Sequence, residues 1–353
     1  MIRRAAIIGG LLTLPAAVAR LALGRGADRL LAGQRVTPDE AALGPAVDAL
    51  GGEIVRLRSR DGLRLAGRWL PAEAPIDDGD ADAWRPDPRE AILLLHGWSG
   101  SIVPDLVEYG PLLRRMAGVL GLDFRGHGDS DPAATTFGLH EVEDVAGALA
   151  WFGERGIGRV ALVGTSMGGI TALAAIAVLG DGSLPAADLD PDAPAHDIEP
   201  ARPRIVGAVV ESVPTELPIA VGNRLRGPFR RFVAARMFEA AGRRVVGDLR
   251  ATEPIRIAPL LETVPVLVIN GGLDKTVPPA EGRRLAAAIG PRSESWLVPN
   301  AAHAGAHATD PEGYADRVGG FLRRTFAESR IRAPIIGRPV FDEASDDGGV
   351  EGD

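Results

Sequence analysis

A chain of 353 residues with 46% hydrophobic content is long enough to bury a sizeable core as one large domain or two small ones. Its 39 basic against 47 acidic side chains leave a net charge of −8, which gives no electrostatic reason to expect nucleic acid or another polyanion as partner. The absence of cysteine excludes disulfides, thiolate metal sites and a cysteine nucleophile, and leaves the compartment open.

Arg3 and Arg4 precede fifteen uncharged residues, Ala5 to Ala19, ending in Ala17-Val18-Ala19 before Arg20. A basic start, a short apolar centre and an A-x-A site form the pattern of an export signal, and the run is shorter than the about 20 apolar residues of a membrane span. Residues 1–30 therefore read as a cleaved signal, an uncleaved anchor lengthened through Leu21 to Gly24, or a helix packed on the domain. The first two make the protein exported or membrane-associated through residues 1–25, and the third leaves it cytoplasmic.

"EIVRLRSRDGLRLAGRWLP" alternates apolar and polar residues on both sides of Asp61-Gly62, a pair suited to the positive φ of a tight hairpin turn, so two antiparallel strands are predicted. An acidic, proline-containing connector, Pro71 to Glu90, follows. The pattern then changes to short unbroken apolar runs at 91–95, 118–123, 159–164, 204–212, 264–270 and 294–299, which suit strands buried on both faces of a parallel sheet. Between them, Leu139, Val142, Val145, Ala146, Leu149 and Phe152 share one helical face, as do Tyr314, Val318, Phe321 and Leu322 near the end. The expectation is an α/β fold: a mostly parallel central sheet with an antiparallel entry hairpin and helices on both faces.

Two segments interrupt this rhythm. Residues 181–204 are acidic and proline-rich and read as a surface loop. The stretch 214–262 carries nine arginines against five acids, an excess of four positive charges inside an acidic protein. The end, 331–353, closes in the acidic, glycine-rich "DEASDDGGVEGD" and reads as a tail.

"ALVGTSMGGI", 161–170, places Ser166 between Gly164 and Gly168. With 11 serines and 45 glycines, chance alone gives about 0.2 such G-x-S-x-G matches, so context decides. The match follows a buried strand and opens a helix, where a sharp turn lifts the serine clear of the sheet and glycines avoid clashes. The adjoining helix N-terminus offers free N–H groups to a developing oxyanion.

A serine hydroxyl needs a base and a group to orient that base. Asp274, in "GGLDKTVP", and His303, in "VPNAAHAGAH", each follow a strand end; His307 is the rival base and Glu211 the reserve acid. His96 and His127 read as structural, and His140 and His196 have no evident chemical neighbour. Oxyanion donors are expected from the backbone N–H of Met167 and, through the turn at Gly97, of Trp98, whose indole is also placed to wall an acyl pocket.

With "RDGLRLAGRWLP", "LLLHGWSG", "LDFRGHGDSD", "TFGLHEVEDVAGALAWF", "LVGTSMGG", "INGGLDKTVP" and "NAAHAG" in order, residues 36–326 resemble the α/β-hydrolase superfamily. They are most similar to bacterial hydrolases of the serine-aminopeptidase-like and acylaminoacyl-peptidase-like groups, whose members often begin with a hydrophobic anchor. The resemblance implies a small basic lid at 214–263 and catalysis by Ser166, Asp274 and His303. Ala302 departs from the glycine often found before that histidine, and the basic lid offers no carboxylate for a substrate amino group, which weighs against an aminopeptidase. The expected function is that of a serine hydrolase acting on small carboxylic ester or acyl substrates, without cofactor or metal. Peptidase or amidase, acyltransferase and a non-catalytic binding module are the rivals. The basic lid and apolar N-terminus add the expectation of contact with a membrane surface.

Overall fold

The structure, a computed structural model, describes residues 19–33, 37–74, 84–98, 100–180 and 203–332. The expectations for the apolar run up to residue 18, for 75–83 of the connector, for 181–202 of the acidic loop and for the tail from 333 lie outside the described residues.

Each predicted run forms a strand: β1 (Glu53–Arg58), β2 (Arg64–Leu70), β3 (Glu90–Leu95), β4 (Gly118–Leu122), β5 (Arg159–Thr165), β6 (Arg204–Glu211), β7 (Val266–Gly271) and β8 (Ser293–Val298). They build one eight-stranded sheet in the order β1-β2-β4-β3-β5-β6-β7-β8. β1 and β2 pair antiparallel, β2 pairs antiparallel with β4, and all later pairs are parallel. The unbroken apolar runs follow from burial on both faces. Leu93, Leu95, Leu120, Leu122 and Leu162 point into one core, and Ile92, Leu94, Val119, Ala161 and Val163 into the other.

Helices Glu141–Gly153, Met167–Leu179 and Pro279–Ile289 close the first core, and Val103–Leu113 and Pro311–Arg332 the second. The last helix is tied to the start of β3 by Arg330, whose guanidinium donates to both carboxylate oxygens of the buried Glu90 at 2.7 Å. Residues 19–31 are helical, with Ala27 and Leu30 in the first core. The domain thus begins before residue 36, the point at which the sequence resemblance starts. Among the described residues, no helix is long and apolar enough to cross a membrane.

The sheet order matters for function. β3 passes to β4 on one side, and the chain then returns to add β5 on the other, so the loops after β3 and β5 diverge from neighbouring strand ends. An open α/β sheet collects ligands at such a switch point.

The hairpin connection differs from the tight turn that Asp61-Gly62 predicts. Five residues, 59 to 63, join the strands, and of the pair only Gly62 takes a positive φ, 96°. Asp61 is drawn instead to Arg125, accepting from Nη1 at 2.9 Å and Nη2 at 2.8 Å. Arg125 is buried, and its Nε and Nη2 also donate to Asp144 Oδ1 at 2.9 and 2.8 Å. Asp144, on the helix Glu141–Gly153, is fully buried and forms its ion pair with Arg125. Removing one partner of a buried pair strands the other charge, so Arg125→Ala should lower stability by about 3–5 kcal/mol. Urea denaturation at neutral pH measures this, and a loss under about 1 kcal/mol would show that Asp144 is relieved by other means.

Candidate active site

β5 ends at Thr165 and the helix begins at Met167, so Ser166 alone makes the turn, with φ 50° and ψ −110°. A non-glycine residue in this conformation is strained and persists because its surroundings fix it. Its N–H donates to Glu211 O at 2.8 Å, and a Cβ on Gly168 would lie 2.1 Å from Leu95 O, while one on Gly164 would lie 2.5 Å from the Gly168 backbone. The glycines flanking Ser166 therefore let the helix approach β3 and β5 backbone to backbone.

Asp274 follows β7 and His303 follows β8, and both converge on this turn. His303 Nδ1 donates to Asp274 Oδ2 at 2.8 Å, and its Nε2 lies 3.3 Å from Ser166 Oγ. Asp274 Oδ1 accepts the N–H groups of Thr276 and Val277, each at 2.8 Å. Burial works against the Asp274 charge, but the bonds from His303 and Val277 outweigh it and hold the carboxyl below its ordinary 3.8. An ionised acceptor at Nδ1 leaves Nε2 as a lone pair facing a hydroxyl, the arrangement that removes a proton from an attacking oxygen.

The histidine loop is clamped by the end of β6. Ala304, at φ 52°, donates its N–H to Ser212 Oγ at 3.0 Å, and the N–H of Ala306 donates to Glu211 Oε1 at 2.8 Å. Ala302, which replaces the glycine of the family pattern, needs no positive φ. Glu211, the reserve acid of the sequence, thus binds the loop backbone instead of the imidazole. His307, the rival base, points elsewhere. Its Nδ1 lies 3.4 Å from Glu108 Oε1, and its ring packs edge-on against Tyr109 and Tyr314.

The oxyanion candidates sit on either side of Ser166. Met167 contributes the first amide of its helix, one that has no intrahelical acceptor. Trp98 follows Gly97, whose added Cβ would lie 3.6 Å from Ser166 Cβ. The buried His96 fixes this turn: its Nδ1 donates to Gly97 O at 2.6 Å and its Nε2 accepts from Phe124 N–H at 3.1 Å. Burial, with His127 beside it, pushes His96 down to about 3, so it stays neutral. His140 has a neighbour after all, Val246 O at 2.8 Å, and His196 lies outside the described residues.

A cavity of about 250 Å3 opens over Ser166 and His303, walled by Trp98, Asp105, Glu108, Tyr109 and Arg224. The two carboxylates lie outside 214–263, the segment from which a carboxylate was expected to be absent. They stand instead on the helix Val103–Leu113, where Asp105, Glu108 and Tyr109 follow the i, i+3, i+4 spacing of one helical face. Thr165 Oγ1 donates to Asp105 Oδ1 at 3.2 Å, and burial, helped by Glu108, pushes Asp105 up to about 7. Among the described residues, no group of three or more histidine, aspartate or glutamate side chains is placed to hold a metal ion.

Glu211 gives the site a pH signature. Its Oε2 is buried without a hydrogen-bond partner among the described residues, and burial pushes the carboxyl from 4.5 up to about 7. A carboxyl that holds its proton more tightly when folded costs stability as pH rises from its unfolded to its folded value, and adds no further change above that. Glu211→Gln keeps the acceptor for Ala306 and cannot ionise. Relative to wild type it should gain roughly 1–3 kcal/mol between about pH 4.5 and pH 7 and then level off. Paired urea titrations measure this, and a difference independent of pH would show that another group titrates.

The sequence matches the alpha/beta hydrolase family over residues 92–317. Among solved structures, the fold is similar to an esterase of Pyrococcus furiosus, at 20% identity and a TM-score of 0.58, covering 84% of this chain and 98% of that one. It is also similar to an alpha-beta hydrolase of Vibrio vulnificus, at 16% identity and a TM-score of 0.59, covering 83% and 91%. No curated protein matches the sequence. Since the family match spans more than half of the chain, the protein belongs to the alpha/beta hydrolase family.

Proposed function

We propose that the protein is a serine hydrolase that cleaves carboxylic esters through an acyl-enzyme. Ser166 Oγ attacks the substrate carbonyl while His303 Nε2 takes its proton, and Asp274 holds the imidazole in the required tautomer and stabilises the imidazolium. The carbonyl oxygen becomes an oxyanion, received by the N–H groups of Met167 and Trp98. The proton passes from His303 to the leaving alcohol, and the same steps with water as nucleophile release the acid and restore Ser166. The observation that carries the reading is the pair of contacts made by one imidazole, 2.8 Å to Asp274 and 3.3 Å to Ser166. Likeness to an esterase is consistent with esters as substrates. A cavity of about 250 Å3 favours short acyl groups.

Ser166→Ala should lower kcat for p-nitrophenyl acetate by about 10^4-fold or more and abolish labelling by a fluorophosphonate. Labelling that persists in this variant would refute Ser166 as the nucleophile.

Asp105 and Glu108 in the cavity wall favour a second reading, cleavage of amides next to an amine-bearing residue, as in the aminopeptidase-like hydrolases that the sequence resembles. There a carboxylate would hold the ammonium group of the substrate. On this reading Asp105→Asn lowers kcat/KM for an aminoacyl p-nitroanilide by about tenfold or more and changes p-nitrophenyl acetate turnover less than about threefold. Equal losses on both substrates would remove it.

A further inference from the structure

The lid carries an outer face that ester cleavage does not use. Helix Arg230–Gly242 lies on the domain through the buried Ala234, Phe238 and Ala241, with the Phe238 ring 5.4 Å from Phe137. Its other side presents Phe229, 74% exposed, Phe232, 66%, and Val233, 37%, at the i, i+3, i+4 spacing of a single patch. Two phenylalanines and a valine clustered in water on one helix are unusual unless something covers them. Arginines lie near them: Arg226, Arg230 and Arg236 are all exposed. Only Arg236 has an ion-pair partner among the described residues, Glu239.

The N-terminal helix docks beside this face. Gly24 O accepts from Arg244 Nη1 at 3.1 Å, Asp28 lies 3.5 Å from Arg244 Nε, and a Cβ on Gly26 would meet the Met237 side chain at 2.7 Å. Leu21 is 57% exposed at the outer end of the helix, and Val246, two residues beyond Arg244, is 85% exposed. In sequence this helix is preceded by the uncharged run from Ala5, with Arg3 and Arg4 before it. Residues 19–31 therefore join the domain next to the lid.

We propose that the outer face of the lid, Phe229, Phe232 and Val233 with Arg226 and Arg230, seats the protein on an anionic phospholipid bilayer. Charge complementarity selects this occupant. The lid holds four net positive charges inside a chain of net charge −8, so an anionic surface attracts this face and repels the remainder. Aromatic and branched side chains then enter the boundary between headgroups and acyl chains, while the arginine stems lie along it with their guanidinium groups at the phosphates. Arg224, which ends the helix Leu217–Arg224 and walls the Ser166 cavity, lies five residues from Phe229, so the contact forms near the cavity rim.

The test is co-sedimentation of the full chain with vesicles of phosphatidylcholine alone or with about 30% phosphatidylglycerol, at about 0.05 and 0.5 M salt. The anionic vesicles should bind at least about tenfold more tightly at low salt, with most of that advantage lost at high salt. Arg226→Gln with Arg230→Gln should weaken binding roughly fivefold per arginine, and Phe229→Ser with Phe232→Ser by about tenfold or more. Circular dichroism melting curves matching wild type establish that the variants are folded. Binding that ignores lipid charge and salt, or that the lid variants leave intact because the N-terminal segment alone carries it, would overturn the proposal. So would a lid that binds another protein but no vesicle. None of these readouts depends on catalysis, so the result stands apart from the assignment of Ser166.

Discussion

The contact on which the site depends is the approach of the helix Met167–Leu179 to the ends of β3 and β5 with no side chain between. The carbonyl of Leu95 occupies the space that a Cβ on Gly168 would need, and the backbone of Gly168 occupies the space beside Gly164. A helix this close to the sheet leaves one residue to turn the chain, and Ser166 takes a conformation that it would avoid in an unconstrained loop. The same closeness brings the first amide of the helix to the β3 loop, where His96 holds Gly97. Strain, a hydroxyl facing the cavity and amide donors thus share one cause.

Buried polar groups around this contact convert a strained turn into a defined site. The main-chain oxygen of Glu211 receives the Ser166 N–H, its side chain receives the Ala306 N–H, and the neighbouring Ser212 hydroxyl receives the Ala304 N–H. Two consecutive residues at the end of β6 therefore fix both the serine turn and the histidine loop. A loop held at its backbone leaves the imidazole free to use both ring nitrogens, one for Asp274 and one for Ser166. The oxygen of Glu211 without a partner among the described residues is the cost of placing that clamp inside the core.

What the sequence made legible follows from periodicity and from position along the fold. Strands buried on both faces reveal themselves as unbroken apolar runs, and residues at strand ends are limited to one edge of the sheet, so Ser166, Asp274 and His303 could be named together. Side-chain direction within a loop is not set by such rules. Glu211 stands at the right strand end but faces a backbone amide, and His307, one helical turn beyond His303, enters an aromatic nest. The role of Asp61 was hidden because Arg125, 64 residues away, decides it. Asp105 and Glu108 were hidden because knowing which face of their helix meets the cavity requires the packing of Leu106 and Leu113 on the opposite core.

The distribution of charge joins these parts. The cavity wall holds two carboxylates, and the one facing Thr165 is pushed toward neutrality by burial, so the interior of the site gains little from further negative charge. The segment 214–262 carries the excess of arginine, with Arg224 in the wall of the cavity. A neutral ester meets no electrostatic barrier at this wall, whereas a free carboxylate is drawn to Arg224 at the rim and opposed by Glu108 beneath it. In the proposed ester cleavage, whose product is a carboxylate, that gradient leaves the uncharged substrate indifferent and favours movement of the anion away from Ser166 once the acyl bond is broken.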